Sequence, residues 1–276
     1  MKPISGLSAV APQYDALILD LWGVVHDGTH LYEGVHDTLV RLRDAGKKII
    51  FLSNAPRRAT KVESVLNSLG VSSDLYDHVL SSGEMGYQWL SSGKHTVGKR
   101  YYYIGPDKDL DILDGLDFTR VDDIKDADFL LNVGFGSEAQ STDDWMPLLR
   151  AARALKLSML CLNPDLEVVK ITGERFPCAG VIGRAYQNMG GLVTWFGKPF
   201  PAVYDRCMQW LSPLEKQRVL AVGDSLDTDI PGAVRYEMDC LLVTGGILKQ
   251  EKPETIDAMV RKIGLVPNYV LSKFHF

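Results

Sequence analysis

Residues 16–28 read ALILDLWGVVHDG. The apolar run ALIL meets Asp20 without a polar break, and so short a run closed by a charged residue reads as a strand buried on both faces. Beyond it, Val35, Leu39 and Leu42 recur at helical spacing, and Gly46 ends that helix before a second apolar run, KIIFLS at 48–53. A helix carrying Val62, Val65, Leu66 and Leu69 stops at Gly70, and a short strand follows at 78–80. Three strand-to-helix steps within so few residues predict an α/β fold with a parallel sheet.

The pattern continues to the end of the chain. A second series begins at Arg100, with the strand runs YYYIG, DFLLNVGF and LSMLCLN. Its helix opens at Ser141 or Thr142, ahead of Trp145, Leu148 and Leu149. This middle block can build a sheet of its own. The last third resumes the alternation of the first, with a strand at 192–196, a helix from Ala202, strands at 218–222 and 240–244, a helix near 253–263 and a strand at 269–271. No internal repeat occurs, which excludes solenoids and propellers.

With 276 residues, 46% of them hydrophobic and 24% charged, the composition is that of an ordinary globular protein of one large or two modest domains. The net charge of −5 and the absence of any Lys/Arg cluster longer than a pair or triplet argue against a nucleic-acid partner. Residues 1–14 lack an export leader and no long apolar run occurs, so no membrane partner is expected. Cys161, Cys178, Cys207 and Cys240 form no CxxC pair, as expected of free thiols in a reducing cytoplasm.

In an open parallel sheet, ligands bind outside the carboxyl ends of the strands. Four polar positions directly follow apolar runs: Asp20, Ser53 with Asn54, Lys198, and Asp224 with Asp229 five residues later. Any one of these suits a helix cap. The whole set fits phosphoryl transfer better. Asp20 and Asp224 offer hard oxygen ligands for Mg²⁺, and a carboxylate can attack phosphorus to give an aspartyl-phosphate. Ser53, the amides of its turn and the Lys198 ammonium would then bind the phosphoryl oxygens.

The segments DLWGVVHDG (20–28), FLSNAPR (51–57), FGKPFP (196–201) and GDSLDTDI (223–230) resemble, in order and wording, the four motifs of the haloacid dehalogenase (HAD) superfamily. The match is closest to its class IIA phosphatases, the nitrophenyl-phosphate and sugar-phosphate type. The middle block, with CLNPDLE at 161–167, is similar to that class's inserted α/β cap. The resemblance therefore implies a Rossmann-like, doubly wound core from 1–80 plus 191–276, a cap from 81–190, and a small phosphorylated substrate. It assigns Asp20 as the nucleophile and a Mg²⁺ ligand, Ser53 as a phosphate ligand, and Lys198 as the link between nucleophile and phosphate. Asp224 becomes a metal ligand, and Asp229 a second acid acting through water or from behind the ligands. Pairing of caps into a homodimer stays open.

One position departs from the family. Where these phosphatases carry a second Asp, the general acid and base, this chain has Trp22. The family uses the backbone carbonyl there for the metal, which Trp22 also has, so the loss falls on proton transfer, typically worth ~10² to 10⁴ in rate. Three readings stay open: a phosphatase with a substitute acid, His26 or Asp27; a silent binder of a phosphometabolite or a partner; or a haloacid dehalogenase. Dehalogenases of the superfamily work without Mg²⁺, whereas GDSLDTD keeps its acids.

Asn163-Pro164-Asp165 is a strong turn signal, and the resemblance brings this cap loop near the active site, making Asp165 a candidate specificity residue. Gly83 and Glu84 suit a helix cap or an anion site, and Gly245–Ile247 fits no nucleotide-binding pattern. Tyr101–Tyr103 are assigned to packing, and the scattered histidines suggest no zinc site.

Overall fold

A computed structural model describes residues 1–169 and 174–276. The first sheet-forming series is β1 (Lys2–Pro3), β2 (Ala16–Leu19), α1 (Val35–Asp44), β3 (Lys48–Ser53), α2 (Ala59–Ser68) and β4 (His78–Ser81). Helix α3 (Ser82–Ser91) leads into β5 (Arg100–Ile104), β6 (Thr119–Val121), β7 (Phe129–Asn132), α4 (Thr142–Ala154) and β8 (Ser158–Cys161). A hairpin of β9 (Glu167–Val169) and β10 (Arg175–Pro177) precedes α5 (Ala179–Asn188) and β11 (Leu192–Trp195). The chain then runs through α6 (Pro201–Leu211), β12 (Val219–Gly223), α7 (Asp229–Arg235), β13 (Asp239–Val243), α8 (Pro253–Ile263) and β14 (Tyr269–Leu271).

The larger sheet has seven strands in the order β1-β14-β13-β12-β2-β3-β4, every pair parallel. Successive strand residues point to opposite faces. Accordingly Leu17 and Leu19 pack with Leu39 of α1 and Leu66 of α2 on one face, while Ala16 and Ile18 pack with Val203 of α6, Ala233 of α7 and Val260 of α8 on the other. This is a doubly wound fold. Strand order reverses between β2 and β12, which opens a crevice at their carboxyl ends. Asp20 follows β2 there, and Asp224 follows β12.

The smaller sheet is five-stranded, ordered β11-β8-β7-β5-β6 and also parallel. Leu149 of α4 and Ile182 of α5 cover one of its faces, while Leu90 of α3 and Leu113 cover the other. Ser141 opens α4 with a reciprocal capping box to Asp144. The tyrosines of β5 are absorbed by this packing, with Tyr101 buried beside Phe129.

The smaller sheet corrects one boundary. Residues 192–195, expected in the core, form β11, which pairs with β8 and belongs to the cap sheet. An apolar run announces a strand but not which sheet it joins. The chain thus leaves the cap only after Trp195, three residues before Lys198. No helix among the described residues is long and apolar enough to cross a membrane.

Phe51, fully buried in β3 and tilted against Tyr76 at 5.2 Å, measures how much the core depends on packing. Phe51→Ala is expected to cost about 3–5 kcal/mol, read as a lower urea midpoint. A midpoint unchanged from wild type would show that this face of the sheet is not tightly packed.

Candidate active site

The crevice between β2 and β12 faces the cap across a cavity of about 420 Å³. Asp20, Ser53, Lys198 and Asp224 line its core side, and Asn163, Asp165 and Val169 line its cap side. All four positions read from the sequence therefore meet at one cavity.

Lys198 is the hub. Its buried ammonium donates to Asp20 Oδ1 at 2.6 Å and to the Leu52 carbonyl at 2.9 Å, and lies 2.7 Å from Asp229 Oδ1. Burial opposes its charge, but Asp20 and Asp229 outweigh burial and hold it well above the usual lysine range. Its backbone N–H donates to Asn54 Oδ1 at 2.7 Å, which fixes the chain as it crosses from cap to core.

Around this one cation stand three buried carboxylates. Asp20, Asp224 and Asp229 each present an oxygen within 4.8 Å of the others. Burial, with repulsion from Asp229, pushes Asp20 up to about 7 against the pull of Lys198. Burial, then Asp20 and Asp229, raise Asp224 well above the ordinary carboxylate range. The Asp224 carboxylate is fixed by the Ile247 N–H at 2.7 Å, and Asp229 Oδ2 accepts from the Ser225 N–H at 3.1 Å. Gly23 and Gly246 leave room for Asp224, since a β-carbon at either would lie within 2.0 Å of its Oδ2. A glycine-lined cradle, an all-oxygen donor set and excess buried negative charge suit a hard divalent cation.

The neighbours of Ser53 divide the work differently from expectation. Ser53 lines the cavity, its Oγ accepting from the Ala55 N–H at 3.2 Å. The Asn54 side chain instead ties protein to protein: its amide donates to Asp165 Oδ1 at 2.8 Å and to the Lys198 carbonyl at 3.1 Å, while its oxygen accepts from the Lys198 N–H and, at 3.3 Å, from Ser82. A side-chain role for Asn54 in phosphate binding is corrected accordingly, because its hydrogen-bonding capacity is used.

His26 and Asp27, expected as substitute acids, do not line the cavity. Asp27 Oδ1 accepts from the Thr29 N–H, the Thr29 hydroxyl and the His30 N–H, each at 2.8 Å, and so organises a turn. Burial works against its charge, yet these donors bring it below the usual range. Burial pushes His26 down to about 4 despite Asp27, and its Nδ1 accepts from the Gly28 N–H at 2.9 Å. Both are structural.

Trp22 does line the cavity. Its indole N–H donates to the Val169 carbonyl in the cap hairpin at 3.0 Å, and its ring packs so tightly over Gly28 that a β-carbon there would come within 2.5 Å. Where the resemblance to the family implies an acid, this chain has a bond between core and cap. At the other candidate anion site, Ser81 caps α3 through the Glu84 N–H at 3.1 Å, and Glu84 bonds Arg58 at 2.8 Å. The four cysteines are free thiols.

A doubly wound core with an aspartate after its first long strand and a paired-acid loop after its fourth defines a hydrolase of the HAD type. The haloacid dehalogenase-like hydrolase model matches residues 17–119, and a second HAD-hydrolase-like model matches 195–272. Sugar-phosphatase AraL of Bacillus subtilis is 30% identical over 85% of this chain and 84% of its own. A haloacid dehalogenase-like hydrolase from Brucella suis superposes with a TM-score of 0.87 at 29% identity, covering 98% and 99% of the two chains. A glycerol phosphate phosphatase from Mycobacterium tuberculosis, solved with magnesium, gives 0.70 at 25% identity, over 95% of this chain and 76% of that one. The chain belongs to the haloacid dehalogenase-like hydrolases, and within them is class IIA, phosphatase-like.

Some contributors were not legible beforehand. Tyr32, Arg57, Lys249 and Gln250 line the cavity from loops without strand-end signals, and Gly245–Ile247, set aside as a nucleotide motif, holds Asp224. Asp165 lies in the turn signalled by Asn-Pro-Asp, where burial raises it to about 6 despite Lys198.

The crowding of acids has a measurable sign. Asp20 and Asp224 titrate above the unfolded value of about 3.9, so the native state keeps protons that the unfolded chain has released. The Asp20 contribution to stability is full below about pH 4 and is lost as pH rises through about 7, and the raised Asp224 acts in the same direction. In chelator, Asp224→Asn is expected to melt above wild type at about pH 8, with the gap closing toward about pH 5. A variant melting below wild type throughout would contradict the repulsion.

Proposed function

We propose that the protein is a Mg²⁺-dependent phosphoric monoester hydrolase acting on a small phosphorylated metabolite through an aspartyl-phosphate on Asp20. The observation that carries this reading is the buried Lys198 ammonium held against Asp20 on the core wall of a cavity whose opposite wall is the cap. Phosphatase names among the relatives support the same class.

Asp20 lines the cavity while its Oδ1 is held by Lys198, which orients the carboxylate for in-line attack. Ser53 and the amides of its turn receive the phosphoryl oxygens, and Lys198 offsets the charge that develops on them. Asp20, Asp224 and the Trp22 carbonyl would hold Mg²⁺, with Asp229 steadying Lys198 and the Ser225 turn behind them. The bound ion would add positive charge at the phosphoryl group. Free thiols, one of them in the cavity wall, fit a reducing cytoplasm.

Purified protein with Mg²⁺ and a panel of phosphate monoesters is expected to release phosphate, and Asp20→Asn to reduce that release to background. Mg²⁺ is also expected to raise the melting temperature of wild type but not of Asp224→Asn. Chloride release from haloacids without metal would replace this reading with dehalogenation, and silence toward both substrate classes would leave a binding protein.

A further inference from the structure

Phosphoryl transfer from an alkyl ester needs a proton for the departing oxygen. With Trp22 in the usual acid's position and His26 and Asp27 locked in a turn, the source must be sought elsewhere around the cavity. In-line displacement fixes where to look: with Asp20 attacking from the core, the leaving oxygen departs on the opposite side, toward the cap.

Two cap carboxylates line the cavity among the described residues, Asp165 and Glu167. Glu167 is paired with Arg175. On the core side Asp20 is the nucleophile, Asp224 is held by the Ile247 N–H, and Asp229 has one oxygen on Lys198 and the other on the Ser225 N–H. Burial raises the Tyr32 hydroxyl and the Cys178 thiol to about 12 each, out of range as proton donors near neutrality. Asp165 is left.

We propose that Asp165 is the general acid and base of this enzyme, supplied by the cap in place of the missing core aspartate. The proposal rests on the phosphatase reading above. Asp165 stands just past the carboxyl end of β8, where its backbone N–H donates to Asn163 Oδ1 at 2.9 Å. Asn54, the residue after Ser53, holds its Oδ1 at 2.8 Å, and the Thr228 side chain bonds the same carboxyl group. The group is therefore fixed one residue from the phosphate-binding serine, at the wall of the cavity. Burial, the largest influence, raises it to about 6, so a protonated fraction persists near neutrality.

The steps balance. In the first, an Asp20 oxygen bonds to phosphorus as the ester P–O bond breaks, and the departing oxygen takes the Asp165 proton, giving alcohol and an Asp165 carboxylate. In the second, that carboxylate takes a proton from water as the water oxygen bonds to phosphorus and the Asp20–phosphorus bond breaks. Phosphate leaves, and Asp165 is protonated again.

Asp165→Asn keeps an oxygen for Asn54 and removes the proton, so proton transfer separates from positioning. With Mg²⁺ present, the variant is expected to lose about 10² to 10⁴ in kcat on glycerol phosphate, a poor leaving group, but less than about tenfold on p-nitrophenyl phosphate, whose phenolate leaves unaided. Adding Trp22→Asp to Asp165→Asn is expected to recover at least about tenfold on glycerol phosphate. The alkaline fall in wild-type kcat on glycerol phosphate should vanish in Asp165→Asn; Lys198, Asp20, Asp229, Cys161 and Cys178 face this carboxyl group and remain unchanged in that comparison. Equal losses on both esters, or none on either, would overturn the proposal while leaving the phosphatase reading intact. A wild type inactive on both esters would remove that reading and the proposal together.

Discussion

A single buried ammonium holds this active site together. Lys198 meets two carboxylates and a carbonyl within 2.9 Å, and among the described residues no other cation is paired with the buried acids of the crevice. Taking one partner from a buried, hydrogen-bonded ion pair typically costs about 3–5 kcal/mol, because the other charge stays behind unpaired. The surrounding architecture serves this contact. The doubly wound sheet delivers Asp20 and Asp224 to adjacent strand ends, the Asn54 amide grips the Lys198 backbone on both sides, and the passage out of the cap sheet sets where the lysine lands.

This economy leaves the site short of positive charge. Three acids against one ammonium is a poor match in a buried setting, and burial with mutual repulsion raises Asp20 and Asp224 above the ordinary carboxylate range. Ground-state discomfort of this kind is common where a fold must bind a cation and a polyanion together. Glycine at 23 and 246 is part of the same arrangement, since any larger residue would displace the Asp224 carboxylate.

Much of this was legible in the chain itself. Strand runs ending in Asp20, Ser53 and Asp224 declared the fold and the residues that meet at one cavity, because strand ends in a parallel sheet are where ligands bind. Lys198 was found for the same reason, although its strand proved to lie in the cap sheet; periodicity reports an element and not its partners. His26 and Asp27 misled because nearness in sequence to Asp20 says nothing about reach, and their side chains were claimed by the local turn. Asn54 and Asp165 carry no periodic or motif signal linking them, since their contact joins residues 111 positions apart.

The bond from the Trp22 indole to the Val169 carbonyl ties the cap hairpin to the strand end that carries the nucleophile. Core and cap are thereby joined two residues from Asp20, so one contact sets the cap hairpin against the strand end that presents the candidate nucleophile.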